Sequence, residues 1–274
     1  MARRISLDQL TVLGVTPPEM VDIAADLGYD LLGPIFSVGA NFSMPVTTLE
    51  RGHPMTVGMA ARLKASGVAI NNMDGFVLVP DMDVDAMQPM LELSAELGAR
   101  NVVTLAFDPE TGRAFDNFCR LAERARACGL GVVLEFYPHS FVRSLDEAVA
   151  WIGRAGQTNA RILVDALHLN QSGGTPDDIR RVAPALIDSA QICDGPLKPT
   201  MEQYGYNALN ERGIPGTGEL PLVDFIAALP AHATIGVEIP LKSLADQGVS
   251  QKERARRCLE ATRNIIAQAE SRPT

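Results

Sequence analysis

The chain has 274 residues, with 24 Lys and Arg against 33 Asp and Glu, so its formal net charge is −9. This acidic balance excludes nucleic acids and anionic membrane surfaces as expected partners, because both are bound by clustered Lys and Arg. Hydrophobic residues make up 46% of the chain and charged residues 21%, which excludes a globally disordered protein.

No run of 18 apolar residues occurs, so no membrane span is expected. Asp8 and Gln9 interrupt the apolar stretch near the start, which argues against a signal peptide. The four cysteines form neither a CxxC pair nor a zinc-type spacing. Few, scattered thiols are typical of a reducing compartment, and we therefore predict a cytoplasmic protein.

Short, unbroken apolar runs recur along the chain and predict eight strands. Strands that are apolar on both faces are typical of a buried parallel sheet. The predicted strands are residues 10–14, 31–36, 68–71, 101–107, 131–136, 161–165, 187–192 and 234–239.

Longer amphipathic stretches between these runs predict helices. The first has Thr16 as its N-cap, proline in its first turn and Glu19 as an early acid, and it ends at Gly28. Another begins at Ser144, which forms a capping box with Glu147. The remaining predicted helices are residues 56–66, 84–97, 115–128, 176–182, 222–229 and 251–269.

The regular alternation of strand and helix predicts one architecture. Eight βα units in one chain of this length give a single (β/α)8 TIM barrel, and we expect residues 1–274 to form one domain. A doubly wound open sheet is the alternative, but it usually has a Gly-rich phosphate turn after its first strand. Neither GxGxxG nor GxxxxGK[ST] occurs in this sequence.

Four predicted strands end in a residue that can bind a hard cation. These residues are Glu135, Asp165, Gln191 and Glu238. Each lies in a different βα unit, and adjacent strands are about 4.8 Å apart, so the four side chains can converge on one ion. A carboxylate in an apolar strand costs several kcal/mol unless it is paired or metal-bound, although each alone could cap a helix or pair with an arginine. An all-oxygen set favours Mg2+ or Mn2+ over structural zinc.

Further polar residues follow these strand ends. His168 lies three residues after Asp165 and could hold or protonate a substrate oxygen, or simply lie at the surface. Asp194 follows Gln191 in the same way and could orient the amide, ligate the ion or bind a substrate hydroxyl.

The predicted mouth of the barrel has several features of a binding pocket. Arg212 precedes a Gly-rich loop, residues 213–219, which we interpret as a lid or rim, with Arg212 as an oxyanion partner. His139 is interpreted as a rim residue. The loops at 35–45 and 71–76 are rich in Phe, Met and Asn, and could wall the pocket with apolar surface, which favours a ligand less polar than an open-chain sugar.

These residues occur in motifs that resemble a known family. Glu135 lies in LEFYP, Asp165 and His168 in VDALHL, Gln191 in QICDGP, and Glu238 in VEIP, and Arg212 begins RGIPGTGELPL. In this order the motifs resemble the xylose isomerase-like TIM-barrel superfamily. That group includes sugar phosphate isomerases and epimerases, ketose 3-epimerases, inosose dehydratases, 3-dehydroshikimate dehydratases and endonuclease-IV-type proteins.

The resemblance implies a barrel with one Mn2+ or Mg2+ ion. It also implies that Glu135 and Glu238 act both as ligands and as acid and base. Sugar epimerases of the group commonly have His where this chain has Gln191, which is more similar to the dehydroshikimate dehydratase branch. The endonuclease branch uses more His ligands, and a chain with four His and a charge of −9 departs from it.

The expected activity is the removal of a proton next to a carbonyl, with the ion chelating the carbonyl and a neighbouring hydroxyl of a small polyhydroxy carbonyl compound. Glu135 or Glu238 would take the proton, and His168 and Arg212 would stabilise the enediolate oxygen. Returning the proton gives an isomerase or epimerase, and expelling a β-hydroxyl gives a dehydratase. A non-catalytic metal-bound binding subunit and a metal-dependent phosphodiesterase are the alternatives from other classes. Assembly into a homo-oligomer stays open.

Overall fold

The computed structural model describes residues 3–37 and 44–272. Within these ranges the strands form one parallel sheet in the order β3-β2-β1-β9-β8-β7-β6-β5-β4. The strands are β1 Ile5–Asp8, β2 Leu31–Gly33, β3 Ala69–Ile70, β4 Asn72–Met73, β5 Asn101–Thr104, β6 Gly131–Glu135, β7 Ala160–Asp165, β8 Ile187–Ile192 and β9 Thr234–Val237.

The sheet closes into a (β/α)8 barrel at Asn71. This residue is all that separates β3 from β4, and the two short strands together occupy one strand position. The Asn71 amide donates to Leu32 O at 2.9 Å, and the Asn101 amide donates to Asn71 O at 2.9 Å. Hydrogen bonds therefore continue across the step from β2 to β5.

Helices follow the strands around the barrel. They are α1 Pro17–Leu27, α2 Pro54–Ser66, α3 Gln88–Glu96, α4 Thr111–Ala127, α5 Leu145–Ala155, α6 Ala166–Gln171, α7 Pro176–Arg181, α8 Met201–Asn210, α9 Leu222–Ala228, α10 Lys242–Asp246 and α11 Gln251–Glu270. The capping box of Thr16 and Glu19 begins α1 as predicted, and Gly28 ends it at φ 78°. Ser144 caps α5, but Glu147 accepts from the Arg143 amide rather than from the Ser144 amide.

A small apolar cluster fills the inside of the barrel. It is formed by Val103, Val133 and Leu163 from three adjacent strands. Side chains alternate along a strand, so Glu135 faces the same side as Val133, and Asp165 the same side as Leu163. The apolar cluster is therefore the floor on which these two carboxylates lie.

The prediction for the first strand is wrong. Residues 10–14 were expected to be extended, but β1 is Ile5–Asp8, and a 3-10 helix, Gln9–Val12, takes up most of the apolar run. Thr11 fixes this helix on β9, because its hydroxyl donates to Val237 O and accepts from the Ile239 amide. The true strand has buried polar residues, Ser6 and Asp8, on one face, and so lacks the unbroken apolar pattern.

The other seven strand positions agree with the prediction to within a few residues, and Ile187–Ile192 agrees at both ends. The short helices α6, α8 and α10 were not predicted. Among the helices of the described ranges, none combines the length and apolar character needed to cross a membrane.

Candidate active site

A pocket opens at the carboxyl ends of the strands. It contains about 780 Å³ of space, part of it open to solvent. Its polar lining includes Ser37, Asp74, Glu135, Tyr137, His168, Arg212 and Glu238. Its apolar lining includes Leu10, Ile35, Met44, Val77, Leu105 and Leu209.

The loops at 35–45 and 71–76 do contribute apolar and polar wall residues, while residues 38–43 lie outside the described ranges. Phe36 and Phe76 are instead buried against each other, with their rings 6.2 Å apart.

Three predicted site residues lie close together at the ends of β6 and β7. Glu135, Asp165 and His168 each offer a ligand atom within 4.8 Å of the others. Asp165 is also the N-cap of α6, and its Oδ1 accepts from the Leu167 and His168 amides at 2.7 and 3.0 Å. The first turn of α6 carries the His168 ring back over the strand ends, where its Nε2 is 3.3 Å from Glu135 Oε1.

Arg212 joins two of the predicted metal ligands. Its Nη1 donates to Asp165 Oδ2 at 2.7 Å, and its Nη2 lies 2.9 Å from Glu238 Oε2. Further bonds to Ala208 O and Glu238 O hold the guanidinium, and the side chain is only 2% exposed. The Arg212 side chain thus fixes both carboxylates, in addition to lining the pocket.

Gln191 binds a carboxylate that the sequence analysis missed. Its Nε2 donates to Asp8 Oδ2 at 3.1 Å, and its Oε1 is buried with no hydrogen-bond partner among the described residues. Asp8 lies at the end of β1. A second missed carboxylate, Asp74, follows β4 and lines the pocket. Both carboxylates lie at strand ends, as Glu135 does. They were missed because the first strand was predicted at residues 10–14 and the third was predicted to end at Asn71.

An aromatic cluster surrounds His168. The Tyr204 hydroxyl is 3.0 Å from His168 Nδ1, and Tyr137 packs edge-on against the imidazole with the ring centres 4.8 Å apart. Tyr204 is fully buried, although it belongs to the unpredicted helix α8. His139 is exposed and stacks on Tyr204, so it lies at the rim as expected.

Asp194 binds backbone amides of a loop, a role that the sequence analysis did not consider. Its carboxylate accepts from the amides of Gly195, Gly216 and Leu220, and so holds the Gly-rich loop that follows Arg212. A Cβ at Gly218 would lie 2.4 Å from Asp194 Oδ1, so glycine is needed for this close approach.

Burial dominates the electrostatics of the site. It raises the pKa of Glu135 well above its ordinary value, helped by the charges of Asp74 and Asp165. Burial raises the pKa of Glu238 as well, against the opposing effect of Arg212. It also lowers the pKa of His168 to about 4. For Asp165, burial is outweighed by His168, Arg212 and the two amide donors, and its pKa lies below the ordinary value.

The donor set fits a divalent cation. Burial raises the pKa of Asp8 and of Asp74 to about 6. The site thus contains five carboxyl groups, of which Arg212 binds Asp165 and Glu238. Ionising all five groups would bring together an excess of negative charge that is costly unless a cation offsets it. The unpartnered Oε1 of Gln191 is a further oxygen donor without a hydrogen bond. Glu135, Asp165 and His168 are the described residues whose ligand atoms lie close enough together to hold a divalent ion, and Glu238 is not in that group although it lines the same pocket.

Known families and structures are similar to this chain. The family described as xylose isomerase-like TIM barrel matches residues 21–265. A structure of the IolI protein with a binding zinc atom has a TM-score of 0.80 and 16% identity, covering 98% of this chain and 100% of that one. A xylose isomerase domain protein from Alicyclobacillus acidocaldarius has a TM-score of 0.79 and 21% identity, covering 98% of this chain and 100% of that one.

A D-psicose 3-epimerase with D-tagatose, from Clostridium cellulolyticum, has a TM-score of 0.74 and 14% identity, covering 96% of this chain and 99% of that one. At such identities the likeness shows the fold. The sequence matches none of the curated proteins with which it was compared.

Proposed function

The chain belongs to the xylose isomerase-like TIM-barrel family, and we propose that it is a divalent-metal-dependent isomerase or epimerase that deprotonates a small polyhydroxy carbonyl compound next to its carbonyl. One observation carries the proposal. Glu135 and Glu238 are buried carboxyl groups with raised pKa values, and both line the same pocket. A carboxyl group whose pKa is raised toward neutrality is a suitable general acid or base.

The positions of the two glutamates suit transfer between two faces of a substrate. Glu135 ends β6, and Glu238 directly follows β9, three places away in the strand order. In a barrel of eight strand positions, three places bring the side chains in from nearly opposite sides. One glutamate can take the proton and the other can return it to the other face or to a neighbouring carbon.

Glu135, Asp165, Gln191 and Glu238 would hold a divalent cation, which when bound would polarise the substrate carbonyl and acidify the adjacent C–H bond. Arg212 keeps Asp165 and Glu238 in fixed positions through its two bonds. Its terminal nitrogens are held by those carboxylates, so in this proposal it favours negative charge on a substrate oxygen through its positive charge in the pocket lining.

His168 acts in this proposal as a neutral hydrogen-bond donor. Burial raises the pKa of the Tyr204 phenol, so the hydroxyl keeps its proton, and in this proposal it donates a hydrogen bond to His168 Nδ1 at 3.0 Å. The ring hydrogen is then on Nε2, which points toward Glu135. Because burial lowers the pKa of His168 to about 4, the imidazole is uncharged near neutral pH and can hold a substrate oxygen.

The pocket favours an unphosphorylated substrate with one apolar face. Among its described lining residues, Arg212 is the one cation, and both its terminal nitrogens bind carboxylates. Residues 38–43, which are not described, contain no Lys or Arg. A compact cyclic ketone with hydroxyl groups along one edge can place that edge over Glu135 and its apolar face against Leu105 and Val77.

A dehydratase is the second candidate, and the apolar wall favours it. A wall of aliphatic side chains has few partners for the many hydroxyls of a sugar, and so suits a substrate with fewer of them. Here one glutamate takes the α-proton, the neighbouring C–C bond becomes double, and the β-hydroxyl leaves as water with a proton from the other glutamate. Both reactions begin with the same proton removal.

Mass spectrometry in D2O tests the proposal. The Mn2+-loaded protein is incubated with keto-sugars, inososes and dehydroshikimate, with Glu135→Gln as the matched control. Gain of one deuterium without loss of water supports an isomerase or epimerase, and loss of one water supports the dehydratase. If loaded wild-type protein changes no compound beyond the Glu135→Gln control, the binding-subunit alternative replaces both.

A further inference from the structure

We infer that Asp8 is a positioning residue, which orients the side-chain amide of Gln191 so that Oε1 rather than Nε2 is presented to a bound cation. The inference rests on the proposed function, because that function places Gln191 among the metal ligands. It adds a residue from a strand that contributes none of the four predicted ligands.

The hydrogen bonds define the orientation. Asp8 is at the end of β1, and Gln191 lies on β8, so their contact passes over β9. Asp8 Oδ2 accepts from Gln191 Nε2 at 3.1 Å, and Oδ1 accepts from the Ser6 hydroxyl at 2.7 Å. An ionised carboxylate can only accept hydrogen bonds, so the amide must turn its nitrogen toward Asp8. The oxygen of the same planar amide then points away from Asp8.

The strands beside β1 leave a slot for this carboxylate. Gly33 is the register partner of Asp8 on β2, and Gly236 on β9 is the register partner of Ser6, next to the Asp8 carboxylate. A Cβ at Gly33 would lie 2.3 Å from Asp8 Oδ1, and a Cβ at Gly236 would lie 2.2 Å from Oδ2. Both distances are far shorter than any real contact of a Cβ atom. Any other residue at either position would therefore push Asp8 out of place.

This arrangement leaves the side-chain amide oxygen of Gln191 without a hydrogen bond to any residue that the structure describes. Gln191 Oε1 is buried and has no donor among the described residues, although a buried polar atom is normally satisfied. Asp8 is 5% exposed, and its carboxylate accepts from Ser6 and Gln191. Its bond to the Gln191 amide is the path by which it can act on the site.

Mn2+ affinity of the chelator-stripped protein tests the inference without any substrate. In Asp8→Asn the new amide can donate to Gln191 Oε1 as well as accept from Nε2, so the Gln191 amide is no longer held in one orientation and can offer nitrogen to the ion. We expect Asp8→Asn to weaken Mn2+ binding by about 10- to 100-fold, as measured by competition with a fluorescent chelator. Asp188→Asn is the matched control, because Asp188 is a buried carboxylate of β8 that binds Arg100 and Asn101 instead.

A rescue variant separates orientation from general damage. Glutamate at position 191 presents oxygen whichever way it turns, so no partner is needed to orient it. In the Gln191→Glu background we expect Asp8→Asn to leave Mn2+ affinity unchanged or higher, because it also removes a like charge. Asp188→Asn should lower the unfolding temperature while leaving affinity at the wild-type value.

The outcomes are distinct. If Asp8→Asn binds Mn2+ with wild-type affinity, this inference is overturned and the proposed function is not. An equal loss in the wild-type and Gln191→Glu backgrounds also overturns it, because Asp8 would then act by another route. A wild-type protein that binds no Mn2+ overturns the proposed function and this inference together.

Discussion

Replacing Arg212 with methionine should destabilise the metal-free protein strongly. The guanidinium is buried and binds Asp165 and Glu238, and methionine would fill much of its volume without the charge. Removing one partner from a buried ion pair costs about 3–5 kcal/mol, because the other charge is left without compensation. We expect a loss of this size in the free energy of unfolding at about pH 8.

The loss should shrink as the pH falls. Without Arg212, the folded-state pKa of Asp165 rises above its unfolded value of about 4, and that of Glu238, which burial already raises, rises further. The folded variant then binds more protons than the unfolded chain. Its stability therefore falls as the pH rises from about 5 to about 8, and it recovers as the pH is lowered again. A divalent cation at about pH 8 should also restore stability, because it supplies positive charge to the same carboxylates.

Urea unfolding followed by circular dichroism measures this effect, with chelator or Mn2+ at both pH values. Arg254→Met is the matched control: Arg254 is another buried arginine, and it donates to Val249 O. The stability that Arg254→Met loses should not depend on pH or on Mn2+. A loss for Arg212→Met that is the same at both pH values, or that Mn2+ leaves unchanged, would refute the reasoning.

Other expected outcomes concern single side chains. Glu135→Gln should retain Mn2+ better than Asp165→Ala in equilibrium dialysis yet lose turnover, because an amide can ligate but cannot take a proton; equal turnover would remove Glu135 as the base. Tyr204→Phe should lower kcat about 10- to 100-fold with little change in KM, and an unchanged kcat would contradict the donor role of His168. Since burial raises the pKa of Asp8 to about 6, the stability of the chelated wild type relative to Asp8→Asn should fall from about pH 4 to about pH 6 in urea titrations; a rise over this range would contradict it.

Much of the barrel could be predicted because most of its strands are continuously apolar, a pattern that survives in the sequence alone. The first strand could not, since ISLD alternates: Leu7 is buried in the outer core, while Ser6 and Asp8 face other polar groups. The run that follows, Gln9–Val12, is more apolar, so the hydrophobic pattern predicted the strand there instead. That error concealed Asp8, and with it the partner of Gln191.

Contacts between distant segments of the chain could not be predicted from the sequence either. The strand-end rule located Glu135, Asp165 and Glu238, but which of them Arg212 would bind depends on the path of the loop between α8 and α9. Tyr204 is a similar case, because its position under His168 requires a helix, α8, that the pattern of apolar residues did not indicate.

Calorimetric titration of Mn2+ into chelator-stripped protein tests most directly the claim that the buried carboxylates form a cation site. We expect one ion per chain, with protons released on binding, because the raised pKa values of Glu135 and Glu238 leave them partly protonated before the ion binds. Titration in two buffers of different protonation enthalpy measures that release, and Asp165→Ala should abolish the binding. No saturable binding to the wild type, or undiminished binding to Asp165→Ala, would contradict the account.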